Sequence, residues 1–226
     1  MGALILPKLY AIADAAVLSA RDVSLRSFAE SLHSIGVSLV QLRDKAGSPQ
    51  AVLAQATVLR EVFGVGEGLL VMNDRADLAV LAGFDGVHVG QGDLAVDDAR
   101  RVFERGADRE GLGAQPVGVA ERIVGISTHM DEQVRLAELT SADYIAVGPV
   151  FATGSKLDAS PIVGLDGVRR ARALTSKPLV AIGGITRQNA VDVIAAGADS
   201  IAVISGLLVS GERVENVARD FLALFR

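Results

Sequence analysis

The stretch SLVQLRDK, residues 38–45, starts as an apolar run and ends in two cations on either side of an anion. An apolar run of this length suits a strand covered on both sides in a parallel sheet, since such strands read as continuous hydrophobic segments. Alternation along the strand puts Gln41, Arg43 and Lys45 on one face and turns Val40 and Leu42 toward covering helices. The element is buried along its length and charged at its C-terminal tip.

The same design recurs along the chain. Working outward, the runs are LYAIAD (9–14), LLVMND (69–74), GVHVGQ (86–91), IVGIST (123–128), YIAVGPV (144–150), PLVAIGGI (178–185) and SIAVISGL (200–207). Amphipathic helical stretches separate them, at 24–35, 49–63, a short piece near 76–82, 95–105, 130–139, 166–174, 187–196 and 213–225. Strict alternation of this kind predicts an α/β fold, a (β/α)8 TIM barrel forming a single domain over 1–226. A doubly wound open sheet is the alternative.

Two features favour the barrel. Small residues (Gly125, Ala146, Gly148, Ala181, Gly183 and Ala202) recur at alternating strand positions, as a crowded barrel interior requires. Polar residues gather where strands end, which in this fold is the rim that carries chemistry. The Gly-rich, polar stretch at 106–122 has no period and leads from a helix into a strand, so it reads as a surface loop insert on the opposite rim. It is given no catalytic role, and is available for self-association or a partner.

Composition narrows the functional classes. Half of the 226 residues are hydrophobic but only 4% aromatic, so the core must be mostly Ala, Val, Leu and Ile. No apolar run reaches the roughly 18 residues that a membrane span needs, and Pro7 interrupts the apolar start too early for a secretory segment. A soluble, cytoplasmic protein is expected. The lack of cysteine removes disulfides, thiolate catalysis and Cys-bound zinc. A net charge of −5 argues against a nucleic-acid partner, so any anion site must be local.

Several rim motifs form such a site. Arg43 and Lys45 would clamp an anion, the first as a fork and the second as a point charge, unless they form a solvated salt bridge with Asp44. Asp74, in Asn73-Asp74, and Asp93, in GQGDL, supply two carboxylates from neighbouring strand ends, a set that suits Mg2+ beside phosphate oxygens. Each could instead cap the helix after it. GPVFATGSK (148–156) offers Thr153, Ser155 and Lys156 in a loop able to close over a phosphorylated ligand. The glycines of IGGITRQNA (182–190) and ISGL (204–207) let backbone N–H groups approach an oxyanion, where barrels usually bind phosphate. Among the histidines, His33 reads as structural or exposed and His88 as packed in the barrel. His129, beside Ser127, is the one acid–base candidate. The set is built to bind two phosphorylated ends, with little provision for proton transfer.

Taken in order, QLRDK, MNDRADLA, DGVHVGQGDL, IVGISTH, DYIAVGPVFATGSK, AIGGIT and IAVIS resemble the thiamine phosphate synthase family over about residues 8–207. The resemblance implies a transferase that joins 4-amino-5-hydroxymethyl-2-methylpyrimidine diphosphate to a (carboxy)thiazole phosphate. The products are thiamine monophosphate and diphosphate, with CO2 from the carboxylated substrate. It assigns Gln41, Arg43, Lys45 and Asn73 to the pyrimidine diphosphate and Asp74 and Asp93 to Mg2+. Ser127 falls to the pyrimidine, Thr153 and Ser155 to the thiazole, and Lys156 to the diphosphate. Gly184, Ile204 and Ser205 fall to the thiazole phosphate. Arg43, Lys45, Ser127 and Lys156 are then the catalytic set, in a dissociative substitution that needs leaving-group stabilisation and alignment more than a strong base. Ala152 and Ser155 depart from a family pattern that often has proline and threonine there, which implies tuned affinity.

Three rivals remain. A TenI-like thiazole tautomerase would use a histidine such as His129 but has no diphosphate to expel. A non-catalytic thiamine-phosphate-binding regulator needs no metal. A phosphate-binding isomerase of aromatic amino-acid synthesis relies on carboxylate or cysteine acid–base pairs, and has no use for the charges on strands two to four.

Overall fold

Each of the apolar runs becomes a strand within its expected limits in a computed structural model that describes residues 4–109, 122–154 and 161–226. The strands are β1 (Leu9–Asp14), β2 (Leu39–Arg43), β3 (Leu69–Asn73), β4 (Gly86–Val89), β5 (Ile123–Thr128), β6 (Tyr144–Val147), β7 (Leu179–Ile182) and β8 (Ser200–Val203). All neighbours are parallel, and β8 pairs with β1 to close the barrel, which excludes the open doubly wound sheet. The helices are α1 (Ala15–Ser19), α2 (Leu25–His33), α3 (Pro49–Phe63), α4 (Ala76–Leu81), α5 (Val96–Arg109), α6 (Asp131–Glu138), α7 (Gly164–Leu174), α8 (Ala190–Ala195) and α9 (Val214–Ala223).

Local chemistry sets the helix limits. Ser24 and Ser48 accept the N–H groups of Ser27 and Ala51, and Pro49 follows directly as the first residue of α3. The added helix α1 starts because Asp14 caps it, its carboxylate accepting Val17 N–H at 3.0 Å. Helix α8 begins at Ala190 rather than 187, because Asn189 accepts Thr186 N–H at 2.9 Å and donates to the Gly184 carbonyl at 3.1 Å, which closes a turn first. Helix α5 runs on to Arg109, into the stretch expected to be loop. A glycine such as Gly106 costs a helix about 1 kcal/mol relative to Ala, too little to end it. The rest of the expected insert, 110–121, lies outside the described residues.

Alternation on the strands splits the core into two layers. Val40, Leu42 and Met72 pack outward with helix residues such as Phe28, Leu32 and Leu59. Ile12, Leu39, Val71, Ile123 and Val180 fill the barrel with Tyr10 and Tyr144. Each fully buried aliphatic side chain contributes about 1.5–3 kcal/mol, so the two layers dominate stability. Ala146 and Ala202 face inward as expected, but Ala181 belongs to the outer layer, because its neighbour Val180 takes the inward position. Gly125 is opposite Tyr144 in register, and a Cβ there would lie 2.0 Å from the tyrosine ring. That glycine makes room for the aromatic group.

The N-terminal rim carries one device three times. Asp85, Asp143 and Asp199 stand immediately before β4, β6 and β8, and each accepts a strand N–H: Leu70 at 2.9 Å, Val124 at 2.6 Å and Leu179 at 2.8 Å. Each also pairs with an arginine from a preceding helix, Arg60, Arg100 and Arg172 respectively. Ser38 stands at the corresponding place before β2, without a carboxylate. These clamps hold the rim opposite to the one where the polar strand ends meet.

Candidate active site

The inward face of β2 points Gln41 and Arg43 into a cavity of about 340 Å³ at the C-terminal end of the barrel. Lys45, Asn73, Asp74, Asp93, Ser127 and Ile204 line the same cavity, so residues from five strands or the loops after them meet there. Closure of the sheet brings together what the chain spreads over more than 160 positions.

The two cations have partners other than Asp44. Arg43 pairs in strand register with Asp14 and forms an ion pair with it, in which the Asp14 side chain is 2% exposed. Lys45 Nζ lies 3.2 Å from Asp74 Oδ2. Asp44 alternates away and accepts Gly47 N–H at 2.8 Å, Ala46 N–H at 3.1 Å and Gln55 Nε2 at 2.7 Å. Burial alone would raise the Asp44 carboxyl, but those three bonds together hold it below its ordinary value. It organises the loop after β2.

Asp74 does not cap the next helix: α4 has Arg75 at its N-cap, with no side-chain bond. Asp74 itself has φ 62°, a left-handed conformation uncommon outside glycine, and its N–H donates to the His88 carbonyl at 2.7 Å. Strain of this kind tends to sit where a side chain must be aimed. Asp93 Oδ2 accepts Gly90 N–H at 2.8 Å, which closes the turn after β4. Burial raises the Asp74 carboxyl above its ordinary value, the adjoining Asp93 carboxylate raises it further, and Lys45 offsets part of the effect. Two carboxylates held against each other make a hard-oxygen pair whose repulsion a divalent cation relieves. Among the described residues no group of three or more His, Cys, Asp or Glu forms a fuller metal cage.

The cavity floor is a chain of buried polar side chains that strand-by-strand reading missed. Gln41 Nε2 donates to Tyr10 Oη at 2.7 Å, and the Tyr10 and Tyr144 hydroxyls are 3.0 Å apart. Tyr144 Oη is 3.0 Å from His88 Nδ1, and His88 Nε2 is 2.8 Å from Ser127 Oγ. His88 also stacks on Tyr144, with ring centroids 5.5 Å apart. Burial pushes both phenols above their ordinary pKa, so they stay protonated. The available signal was parity: Tyr10, His88 and Tyr144 are polar aromatics on inward positions. His129 also reaches the cavity, where its Nδ1 donates to the Gly148 carbonyl at 2.6 Å.

Of the remaining expected residues, Thr153, Gly184 and Ser205 are described and stand outside this cavity's lining. Gly183 and Gly184 have φ of 104° and 65° and form the surface on which the segment after β6 packs, with Phe151 N–H donating to the Gly183 carbonyl at 3.0 Å. A Cβ on Gly184 would lie 2.5 Å from the Ala152 carbonyl oxygen. Ser205 opens a single 3-10 turn after β8, and Thr153 sits in the loop after β6. Ser155 and Lys156 lie outside the described residues.

The chain is similar to known proteins over nearly its whole length. The sequence model of a family described as thiamine monophosphate synthase matches residues 9–108 and 112–207. The thiamine-phosphate synthase of Koribacter versatilis is 50% identical over 206 residues, 90% of each chain. That of Methanoregula boonei is 42% identical over 212 residues, 94% of this chain and 90% of its own. Among solved structures, the thiamine phosphate pyrophosphorylase of Pyrococcus furiosus superposes with a TM-score of 0.76 at 27% identity, covering 97% of both chains.

Proposed function

Because the chain belongs to the thiamine monophosphate synthase family, we propose that it joins 4-amino-5-hydroxymethyl-2-methylpyrimidine diphosphate to a thiazole phosphate, releasing diphosphate and forming thiamine monophosphate. With the carboxylated thiazole, CO2 is a further product. The observation that carries the reading is the convergence of Arg43, Lys45, Asp74 and Asp93 on one cavity above a polar floor. That combination suits a leaving diphosphate and has no evident use in an isomerase, so the tautomerase reading is disfavoured.

Arg43 is oriented by Asp14 and keeps further N–H donors for phosphate oxygens, since one guanidinium carries five. Lys45 adds a point charge on a longer, half-exposed stem. Asp74 and Asp93 would hold Mg2+, which supplies charge neutralisation to the diphosphate. Asn73 and Gln41 add neutral polar contacts. Ser127 presents its hydroxyl to the pyrimidine end, while Gly184, Ile204, Ser205, Thr153 and Ser155 serve the thiazole phosphate and Lys156 the diphosphate. Fixed charges aimed at a developing anion stabilise a dissociative transition state without reorganising, and no strong base is needed.

Among the described residues no helix is long and apolar enough to cross a membrane. A cysteine-free chain acting on small polar substrates supports a cytoplasmic location.

The test is an assay of the purified protein with both substrates, in Mg2+ or in EDTA, following thiamine phosphate and diphosphate together. Metal-dependent formation of both in equal amounts is expected. Formation of neither, with the thiazole phosphate still bound, would favour a tautomerase or a binding protein.

A further inference from the structure

We propose that Tyr10, Tyr144 and His88 are positioning residues, a hydrogen-bonded relay across the barrel that fixes which way Gln41 and Ser127 present their polar atoms to the cavity. The inference rests on the reading of that cavity as the substrate site and concerns groups to which that reading gives no role.

The direction of the relay follows from counting protons. Gln41 turns its amide nitrogen to Tyr10, so Tyr10 Oη accepts there and its single proton is left for Tyr144. Tyr144 has then one proton to give, and the partner on its other side is His88 Nδ1. A nitrogen that accepts carries no proton, so neutral His88 holds its own on Nε2 and donates it to Ser127 Oγ at 2.8 Å. The run ends with the Ser127 proton free to point into the cavity as a donor. At the other end, Gln41 Oε1 is left as an acceptor. Reversing either end requires reversing every link between.

A merely structural core would not need this arrangement. The other buried hydrophobic side chains of this inner layer are Ile, Leu, Val and Ala, and phenylalanine would fill the space of either tyrosine without a hydroxyl to satisfy. The chain instead terminates at both ends on side chains that line the cavity, one from β2 and one from β5. The two phenols are buried and stay protonated, as donors in such a chain must.

Two measurements test it. Imidazole 15N NMR of the protein, whose three histidines are assigned with His33→Gln and His129→Gln variants, should show His88 as the neutral Nε2–H tautomer, moving to a mixture in Tyr144→Phe. His88 carrying its proton on Nδ1 in the parent, or as the cation at pH 7, would overturn the relay. In synthesis assays Tyr144→Phe should lower kcat about tenfold, and combining it with Ser127→Ala should cost less than the product of the two single losses. An unchanged kcat, or fully multiplicative losses, would likewise overturn it. If Tyr144→Phe does not fold, Tyr10→Phe breaks the same run two links from His88 and should still mix its tautomers; an unmixed tautomer there counts against the relay. A parent protein that makes no thiamine phosphate would sink the proposed reaction, while the NMR result would still decide the relay.

Discussion

Arg43 and Asp14 face each other across β1 and β2 in strand register and form an ion pair almost closed to solvent. The pair orients a cation meant for a substrate anion, and it makes the same cation necessary to the fold. Removing one partner of a buried pair strands the other charge, at a cost of about 3–5 kcal/mol. Arg43→Ala should therefore lose both activity and stability, whereas Arg43→Ala combined with Asp14→Ala should recover part of the stability and none of the activity. Urea unfolding of the two variants checks this; an Arg43→Ala protein as stable as the parent would show that Asp14 needs no partner.

Asp74 and Asp93 should respond to metal in a way that activity alone does not reveal. Mg2+ at 100 times its dissociation constant should raise the unfolding free energy of the parent by about 2.7 kcal/mol. Asp93→Ala should abolish that gain, keep the fold and reduce synthesis on the order of 100-fold. Thermal melts with and without Mg2+, run beside the assay, are the check. An Asp93→Ala protein that turns over normally would remove the proposed metal role.

Asp44 should make stability fall in acid. Its carboxyl sits below its ordinary value in the folded protein, because three hydrogen bonds outweigh the effect of burial. A lowered folded pKa means that the stabilisation is present above the unfolded value of 3.8 and is lost as pH falls through the folded one. Urea midpoints measured at neutral pH and well below 3.8 should therefore differ less in Asp44→Asn than in the parent. Equal acid sensitivity in the two proteins would show that Asp44 has no part in it.

Asp85 should matter to stability and hardly at all to chemistry, because it lies on the rim away from the cavity. Asp85→Ala leaves the buried Leu70 N–H without its acceptor and Arg60 without its anion, at a cost of about 1–3 kcal/mol. Asp85→Asn, which keeps an acceptor oxygen, should lose less. Chemical denaturation and kcat measured on the same preparations separate the two effects; a large fall in kcat with unchanged stability would contradict the assignment.

Much of this protein follows from period alone. A recurrent run of apolar residues tipped by polar ones specifies the strands, their order and the rim, because a parallel strand must be covered on both faces and can carry charge only where it ends. Parity along β2 likewise separates Gln41 and Arg43 from Val40 and Leu42. What the chain could not show on its own is which groups meet across the closed barrel. Tyr10 and Tyr144, 134 positions apart, touch only when β8 joins β1, and Arg43 takes Asp14 in place of its sequence neighbour Asp44 because adjacent residues on a strand face opposite ways. Local periodicity determines the elements and their faces; hydrogen bonds and ion pairs between distant strands depend on the closure of the sheet, and that closure brought the polar floor together.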